Sequence, residues 1–232
     1  MIFPVYKPKG ITSFDVIRKL KSEYLRGTKI GHGGTLDPLA EGVLVIGIGR
    51  ESTRALHDVL RNTTKEYVAE IELGKVSETD DSEGPISPYV GSRADLTAIK
   101  VSKRKPTYFS LDIDDAAVKP SAEDVHHVLD TFIGDIEQLP PQFSAIKVAG
   151  QTAYKRARKG EKVTLQPRTV HLDKIELQSY TYPILKIRVV CGSGVYIRSL
   201  ARDIGSKLGT GAYLKSLVRT RVGEYTIEQA LV

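Results

Sequence analysis

The longest apolar stretch of the sequence is Gly42–Gly49, in which Val43–Ile48 is almost entirely aliphatic. It is far shorter than the ~20 apolar residues that a membrane-spanning helix requires. A short aliphatic run between glycines is typical of a strand buried inside a sheet. The chain must therefore build its core around at least one buried strand, and 232 residues suffice for one large domain with a real hydrophobic core.

Apolar periodicity predicts an alternation of strands and helices along the rest of the chain. The predicted strands are Ile2–Val5, Val43–Ile48, Glu66–Leu73, Val170–Leu177, Leu185–Val190 and Leu214–Val222. The predicted helices are Phe14–Leu25, Glu51–Leu60, Glu123–Ile133, Thr152–Arg158 and Tyr196–Leu208. A glycine-rich loop is expected at Gly31–Gly34, a stiff connector at Gln138–Gln142 and a possible hairpin within 75–120. This pattern favours one mixed α/β domain over residues 1–232.

Charge is distributed unevenly along the sequence. The chain carries 34 Lys and Arg against 28 Asp and Glu, a net charge of +6. Residues 1–65 carry a net +5, residues 66–137 a net −9, and residues 138–232 a net +10. Two basic ends suit a polyanionic partner such as nucleic acid, although many proteins of this net charge bind none.

Several kinds of active site are absent from the sequence. There is no P-loop, no G-x-G-x-x-G fingerprint before a helix, and no H-E-x-x-H pair. One cysteine, Cys191, excludes an internal disulfide and a multi-thiolate metal site. We therefore expect chemistry that needs neither a metal nor an organic cofactor. The N-terminus has no basic leader before an apolar stretch, so we expect a cytoplasmic protein with no membrane association.

Asp37 stands out as a candidate catalytic carboxylate. It lies in a loop bounded by Gly34 and Pro38 that leads into the buried strand Val43–Ile48. Functional residues gather on such loops, because a rigid scaffold holds them where substrate and water can reach. The spacing alone equally allows Asp37 to be an ordinary turn residue, since Asp before Pro commonly begins a turn.

The segment around Asp37 closely resembles the signature loop of the TruB family of RNA pseudouridine synthases. The matching residues are Gly31-His32-Gly33-Gly34-Thr35-Leu36-Asp37-Pro38-Leu39-Ala40-Glu41-Gly42-Val43-Leu44. Three further segments resemble family motifs in the same order: Lys65-Glu66-Tyr67, Leu139–Lys147 with its Pro-Pro-Gln-Phe-Ser-Ala-Ile-Lys run, and Cys191–Leu200 with Tyr-Ile-Arg. Together they span nearly the whole chain.

The resemblance implies a function and a set of site residues. It implies an isomerase that converts uridine to pseudouridine at position 55 in the T-arm of tRNA. Asp37 matches the essential aspartate, Arg198 its arginine partner, and Tyr67 the aromatic residue that stacks on the target base. Tyr196 and Leu217 match residues that contact the base. His32 matches the residue that fills the gap left in the RNA by the flipped nucleotide.

The resemblance also implies a fold and an RNA-binding segment. The fold is the pseudouridine synthase catalytic fold, a central mixed, mostly antiparallel sheet flanked by helices, with the active-site cleft across the sheet. Residues 140–168 match an insertion that closes over the RNA, in which Lys147, Lys155, Arg156, Arg158 and Lys159 are the expected phosphate contacts. The resemblance also leads us to expect that the C-terminal PUA domain common in bacterial members is lacking. A segment at 87–119 looks longer than usual, and its basic and aromatic Lys103–Phe109 run is a hypothetical substitute RNA contact.

Two other functions remain open on the sequence alone. The same chemistry could act on another structured RNA, because the motifs report the reaction better than the target. A non-catalytic RNA-binding or RNA-folding module could instead keep the pocket only as a base trap. In each case the expected partner is RNA and the expected oligomeric state is a monomer.

Overall fold

A computed structural model shows a mixed α/β fold built on one large sheet. It describes residues 1–23, 27–61, 63–90, 119–144, 146–148, 150–152, 156 and 164–231. The helices are α1 (Ser13–Glu23), α2 (Arg50–Arg61), α3 (Ala122–Asp130) and α4 (Ile197–Lys207), with a 3-10 turn at Ile227–Gln229.

The strands run from the N-terminus to the last residues. They are β1 (Ile2–Lys7), β2 (Ile30–Gly33), β3 (Ala40–Ile48), β4 (Lys65–Leu73), β5 (Lys75–Ser77), β6 (Ile86–Pro88), β7 (Gly134–Gln138), β8 (Lys147–Val148), β9 (Gln151–Thr152), β10 (Arg168–Thr181), β11 (Ile184–Cys191), β12 (Ala212–Val222) and β13 (Tyr225–Thr226).

The central sheet has the order β1-β3-β12-β4-β11-β10-β7, with β2 paired to β3 and β13 paired to β12. Its pairings are antiparallel apart from β3 with β12, which run parallel. The short pairs β5–β6 and β8–β9 lie outside it. The mixed, mostly antiparallel sheet flanked by helices is therefore confirmed.

The aliphatic run Val43–Ile48 is buried on both of its faces. Leu44 and Ile46 pack with α1, whereas Val43 and Val45 pack with α2. The part of the sheet formed by β12, β4, β11 and β10 has two different faces. Helices α3 and α4 cover one face, in the main core. The other face carries ion pairs such as Arg188 with Glu66, 2.7 Å apart. The two parts join where β3 pairs with β12 at Ala40–Gly42, just after Asp37.

Two local predictions were wrong, and one strand was missed. Gly31–Gly34 is not wholly a loop, since Ile30–Gly33 forms β2; a Cβ on Gly33 would lie 2.0 Å from Leu60 of α2, so glycine here makes room for a helix. Thr152, the predicted start of the helix Thr152–Arg158, instead ends the short strand Gln151–Thr152. Strand β7 was not predicted, because Gly134–Gln138 has only one large apolar residue, Ile136, and so lacks the apolar alternation of a half-buried strand.

The other predicted helices and strands are present with ends shifted by a few residues, and the predicted connector Gln138–Gln142 begins one residue later, because Gln138 ends β7. The predicted helix Glu123–Ile133 is α3, which begins after a capping box at Ser121 and ends at Asp130. The possible hairpin within 75–120 is present as β5–β6. Most of the predicted helix Thr152–Arg158 and of the 87–119 segment lies outside the described residues, and the single-domain assignment of 1–232 stays a prediction.

Candidate active site

The loop that carries Asp37 joins β2 to β3 and is held by the segment before α1. The Ser13 hydroxyl donates to the Leu36 carbonyl and accepts from the Leu36 amide, both at 2.9 Å. The Gly10 amide donates to the Pro38 carbonyl at 2.8 Å. These contacts fix the backbone on both sides of Asp37, whose side chain remains 40% exposed. The loop thus presents a carboxylate to solvent from a rigid backbone.

Asp37 and Arg198 form an ion pair. The Arg198 Nε lies 3.0 Å from Asp37 Oδ2, and the Arg198 side chain is only 7% exposed. Burial raises the pKa of Asp37 above its ordinary value, while the Arg198 charge opposes that rise. A nearby carboxylate, Asp81, adds to the rise, and Lys7 opposes it. The arginine therefore helps to keep a desolvated carboxylate ionised.

The guanidinium of Arg198 has further partners on two other segments. Its Nη1 lies 3.5 Å from Asp81 Oδ2 and donates to the Thr79 carbonyl at 3.3 Å. Its Nη2 donates to the Phe143 carbonyl at 3.0 Å. Asp81 is fixed in turn, since its Oδ1 accepts the Glu83 amide at 3.0 Å. Sequence reasoning missed Asp81, which lies in the polar run Thr79–Gly84.

Tyr67 lies in β4 directly opposite Arg219 of β12, and both side chains are buried. Burial raises the pKa of Tyr67, and the adjacent Arg219 charge and hydrogen bond oppose that rise. Arg219 also donates to the Val43 carbonyl at 2.8 Å and to the Gly34 carbonyl at 2.7 Å. It therefore connects the tyrosine to Gly34, at the start of the Asp37 loop, and to Val43 within β3. This structural role was not predicted from the sequence.

Tyr196 and Leu217 lie on the two elements that meet at this point. Tyr196 is the N-cap of α4, and its backbone amide donates to Gln138 Oε1 at 2.8 Å. Leu217 of β12 pairs in parallel with Ala40, three residues after Asp37, and is 7% exposed. Leu217 and Tyr67 belong to the same apolar cluster. The structure thus brings Asp37, Tyr67, Arg198 and Leu217 to one place, with Tyr196 beside them.

His32 lies on β2, opposite Ile46 of β3. Burial and the Arg219 charge lower its pKa, so the imidazole is neutral at pH 7. Its Nδ1 is buried without a hydrogen-bond partner among the described residues. His32 is therefore separate from the Asp37–Arg198 pair but borders the same Arg219.

The predicted RNA-binding residues are only partly described. Lys147 lies in β8, and Arg156 is half-buried. Lys155, Arg158 and Lys159 lie outside the described residues, as does the Lys103–Phe109 run.

Within the described residues there is no group of three or more His, Cys, Asp or Glu side chains that could hold a metal ion. No helix there is long and apolar enough to cross a membrane. Burial raises the pKa of the Cys191 thiol to about 12.

Comparisons with known families identify two matching regions. Residues 21–106 and 109–197 match the TruB family pseudouridylate synthase N-terminal domain. Residues 198–232 match the tRNA pseudouridylate synthase B C-terminal domain.

Curated relatives cover nearly the whole chain. A tRNA pseudouridine synthase B of Parabacteroides distasonis is 41% identical over 234 residues, which cover 97% of this chain and 86% of the relative. The Thermobifida fusca protein of the same name is 44% identical over 235 residues, which cover 97% of this chain and 70% of the relative.

A solved structure shares the fold. A chain of the crystal structure of a Cbf5-Nop10-Gar1 complex is 27% identical, with a TM-score of 0.65 over 97% of this chain. The present chain spans about half of the length of that protein, 49%.

Proposed function

The chain belongs to the TruB family of pseudouridylate synthases, and we propose that its substrate is the uridine at position 55 in the T-arm of tRNA. It is an enzyme of the isomerase class that converts uridine to pseudouridine in tRNA. The observation that carries the proposal is the Asp37–Arg198 ion pair beside the buried apolar cluster that contains Tyr67 and Leu217.

The reaction changes the atom through which the base is attached to its sugar, from N1 to C5. The bond between N1 and C1′ breaks, the base turns, and a new bond joins C5 to C1′. The proton of C5 leaves and N1 gains one, so the product is an isomer of the substrate. We propose that the Asp37 carboxylate acts on the detached sugar or base, through a covalent bond or an ion pair, since an ionised carboxylate serves either role.

The other site residues would support the Asp37 carboxylate or contact the target base. Arg198 keeps Asp37 ionised in surroundings that otherwise raise its pKa. Tyr67 would stack on the target base and lies within the electrostatic reach of Asp37. Tyr196 and Leu217 would contact the base. Stacking on an aromatic ring is worth ~1–3 kcal/mol per base, which offsets part of the cost of flipping a nucleotide.

RNA binding would involve His32 and the basic insertion. A neutral, half-buried imidazole suits a place in the RNA stack vacated by the flipped base. The insertion at 140–168 would contact phosphates through Lys147, Lys155, Arg156, Arg158 and Lys159. We further propose that the enzyme acts as a monomer in the cytoplasm, where its tRNA substrate is found.

The test is pseudouridine formation in tRNA by the native protein and by Asp37→Asn. Tritium release from C5 detects the reaction, because the product has the same mass as the substrate. We expect product at position 55 with the native protein and a loss of about a thousandfold or more in the variant. Asp130→Asn, which changes an exposed aspartate of α3, is the matched control and keeps full activity.

Three results would contradict parts of the proposal. Product at another position of tRNA, or in another RNA only, would overturn the T-arm assignment. Full activity in Asp37→Asn would overturn the role of Asp37. RNA binding by both proteins without any product would favour the non-catalytic binding module.

A further inference from the structure

Gln138 is a fully buried glutamine whose side chain is hydrogen-bonded to the backbone of another element. It is the last residue of β7 and is 1% exposed. Its Oε1 accepts the Tyr196 amide at 2.8 Å, and its Nε2 donates to the Tyr196 carbonyl at 3.1 Å. Both ends of the side-chain amide therefore contact one backbone residue 58 positions away.

The partner of Gln138 is the residue at which the catalytic helix begins. Tyr196 is the N-cap of α4 and has no side-chain capping bond of its own. The first amides of a helix lack partners within the helix, so a cap from elsewhere fixes where the helix starts. Arg198 follows two residues later and makes the 3.0 Å contact to Asp37. A shift of the helix start moves the guanidinium relative to the carboxylate.

Backbone carbonyls after Gln138 reinforce the same connection. The Leu139 carbonyl accepts Ser199 Oγ at 2.9 Å and Arg202 Nη2 at 2.8 Å. The Phe143 carbonyl accepts Arg198 Nη2. In these bonds the segment contributes only main-chain acceptors, whereas Gln138 contributes its side chain. Gln138 is thus the position at which a substitution can change the connection without removing a residue of α4.

We propose that Gln138 is a positioning residue for catalysis, which sets the start of α4 so that Arg198 meets Asp37 and Tyr196 meets the target base. The inference rests on the proposed function of the site. It assigns Gln138 no contact with RNA or with the reacting atoms. The basic insertion begins two residues after Gln138, at residue 140, and its Phe143 carbonyl contacts Arg198 directly.

The test compares the chemical step with RNA binding in two variants. Gln138→Met keeps the length and apolar packing of the side chain but removes both hydrogen bonds. Gln138→Glu keeps the acceptor for the Tyr196 amide and places a second oxygen against the Tyr196 carbonyl. Gln178→Met, at an exposed glutamine of β10, is the matched control. The measurements are the single-turnover rate at saturating tRNA, the Kd for tRNA and the fraction of folded protein.

We expect both Gln138 variants to lose at least about tenfold in rate per folded enzyme, because small displacements of catalytic groups have large kinetic effects. The Kd for tRNA should stay within about twofold of the native value. The acid limb of the pH–rate profile should move to higher pH, since Arg198 opposes the raised pKa of Asp37. Loss of global stability alone would not move that limb. The control should match the native enzyme in all three measurements.

Several results would overturn the inference. These are a folded Gln138→Met with a rate within twofold of native, a change confined to Kd, or an unchanged acid limb. If neither variant folds, the role of Gln138 is structural and the inference fails as well. An inactive native protein would instead overturn the proposed function, so the two failures can be told apart.

Discussion

Asp81 contacts Arg198 through a different nitrogen from the one that meets Asp37. The distance is 3.5 Å from Nη1 to Oδ2, and the Asp81 side chain is only 3% exposed. Arg198 thus connects a buried carboxylate to an accessible one. Asp81 has two opposing effects on the site. It orients the Arg198 guanidinium, but its negative charge adds to the raised pKa of Asp37.

We predict that the Asp81→Asn variant has a lower single-turnover rate than the native enzyme but stays active at lower pH. Loss of this ion pair should let the Arg198 guanidinium move relative to Asp37, so we expect a loss of about 10- to 100-fold in single-turnover rate. Removing the Asp81 charge should also lower the pKa of Asp37, so the acid limb of the pH–rate profile moves to lower pH. An acid limb at the native position would show that the two carboxylates are not coupled.

The sequence predicted more of the fold than of the site's supporting residues. Apolar periodicity identified β3, β4, β10, β11 and β12, because each buries a regular set of large side chains. It could not identify β7, whose pairing with β10 depends on backbone bonds and a mixed set of side chains. It also could not distinguish a glycine loop from β2, since the glycines there reflect contact with α2.

The site shows the same division. Asp37 and Arg198 could be paired only through resemblance to a family, since 160 intervening residues give no periodic signal. Asp81 and Gln138 carry no local pattern that separates them from turn or strand residues. Their importance comes from tertiary contacts with α4, which only the folded structure reveals.

A stability measurement can test the electrostatic cost of partly desolvating the Asp37 carboxylate. The folded-state pKa of Asp37 is raised, so the folded protein binds its proton more tightly than the unfolded chain does. Stability contributed by this group is therefore greatest at low pH and is lost as pH rises through the folded-state pKa. We predict that Asp37→Asn melts at a higher temperature than the native protein at pH 7.5. The difference should shrink at acid pH, and a lower melting temperature at pH 7.5 would contradict the raised pKa.

The parallel pairing of β3 with β12 requires a glycine at position 42. Gly42 has φ of +104°, and a Cβ there would lie 2.2 Å from the Arg219 carbonyl oxygen. We predict that Gly42→Ala loses about 2–5 kcal/mol in the free energy of unfolding, the sum of backbone strain and overpacking. Gly49→Ala is the control, because φ is +93° but no atom lies within 4 Å of the added Cβ. It should lose only about 1–2 kcal/mol. Urea unfolding measures both, and equal losses would exclude a packing role for Gly42.

The basic insertion should account for part of the salt dependence of tRNA binding. Each phosphate contact contributes about 0.7–0.9 to the slope of log K against log salt concentration. Replacing Lys155, Arg156, Arg158 and Lys159 together by glutamine should make the slope less steep by about 3 and weaken binding at low salt. Replacing the exposed Lys174 of β10 should leave the slope unchanged. An unchanged slope in the fourfold variant would place the phosphate contacts elsewhere.

Arg219 has two separable effects, one from its charge and one from its shape. Its two carbonyl partners, on Gly34 and Val43, flank the Asp37 loop. Its charge lowers the pKa of His32, although burial is the larger cause. A lysine keeps the charge but cannot donate to both carbonyls from a planar fork. Arg219→Lys therefore isolates the loss of shape, and Arg219→Met removes shape and charge together.

We predict that both Arg219 variants lose about a hundredfold in single-turnover rate, because the loop that carries Asp37 loses its fixed position. NMR titration of His32 should separate them. Its pKa should rise in Arg219→Met, where the nearby positive charge is gone, and should stay close to the native value in Arg219→Lys. Native activity in Arg219→Lys would show that the charge alone suffices and that the carbonyl contacts do not position Asp37. An unchanged His32 pKa in Arg219→Met would show that burial alone keeps the imidazole neutral.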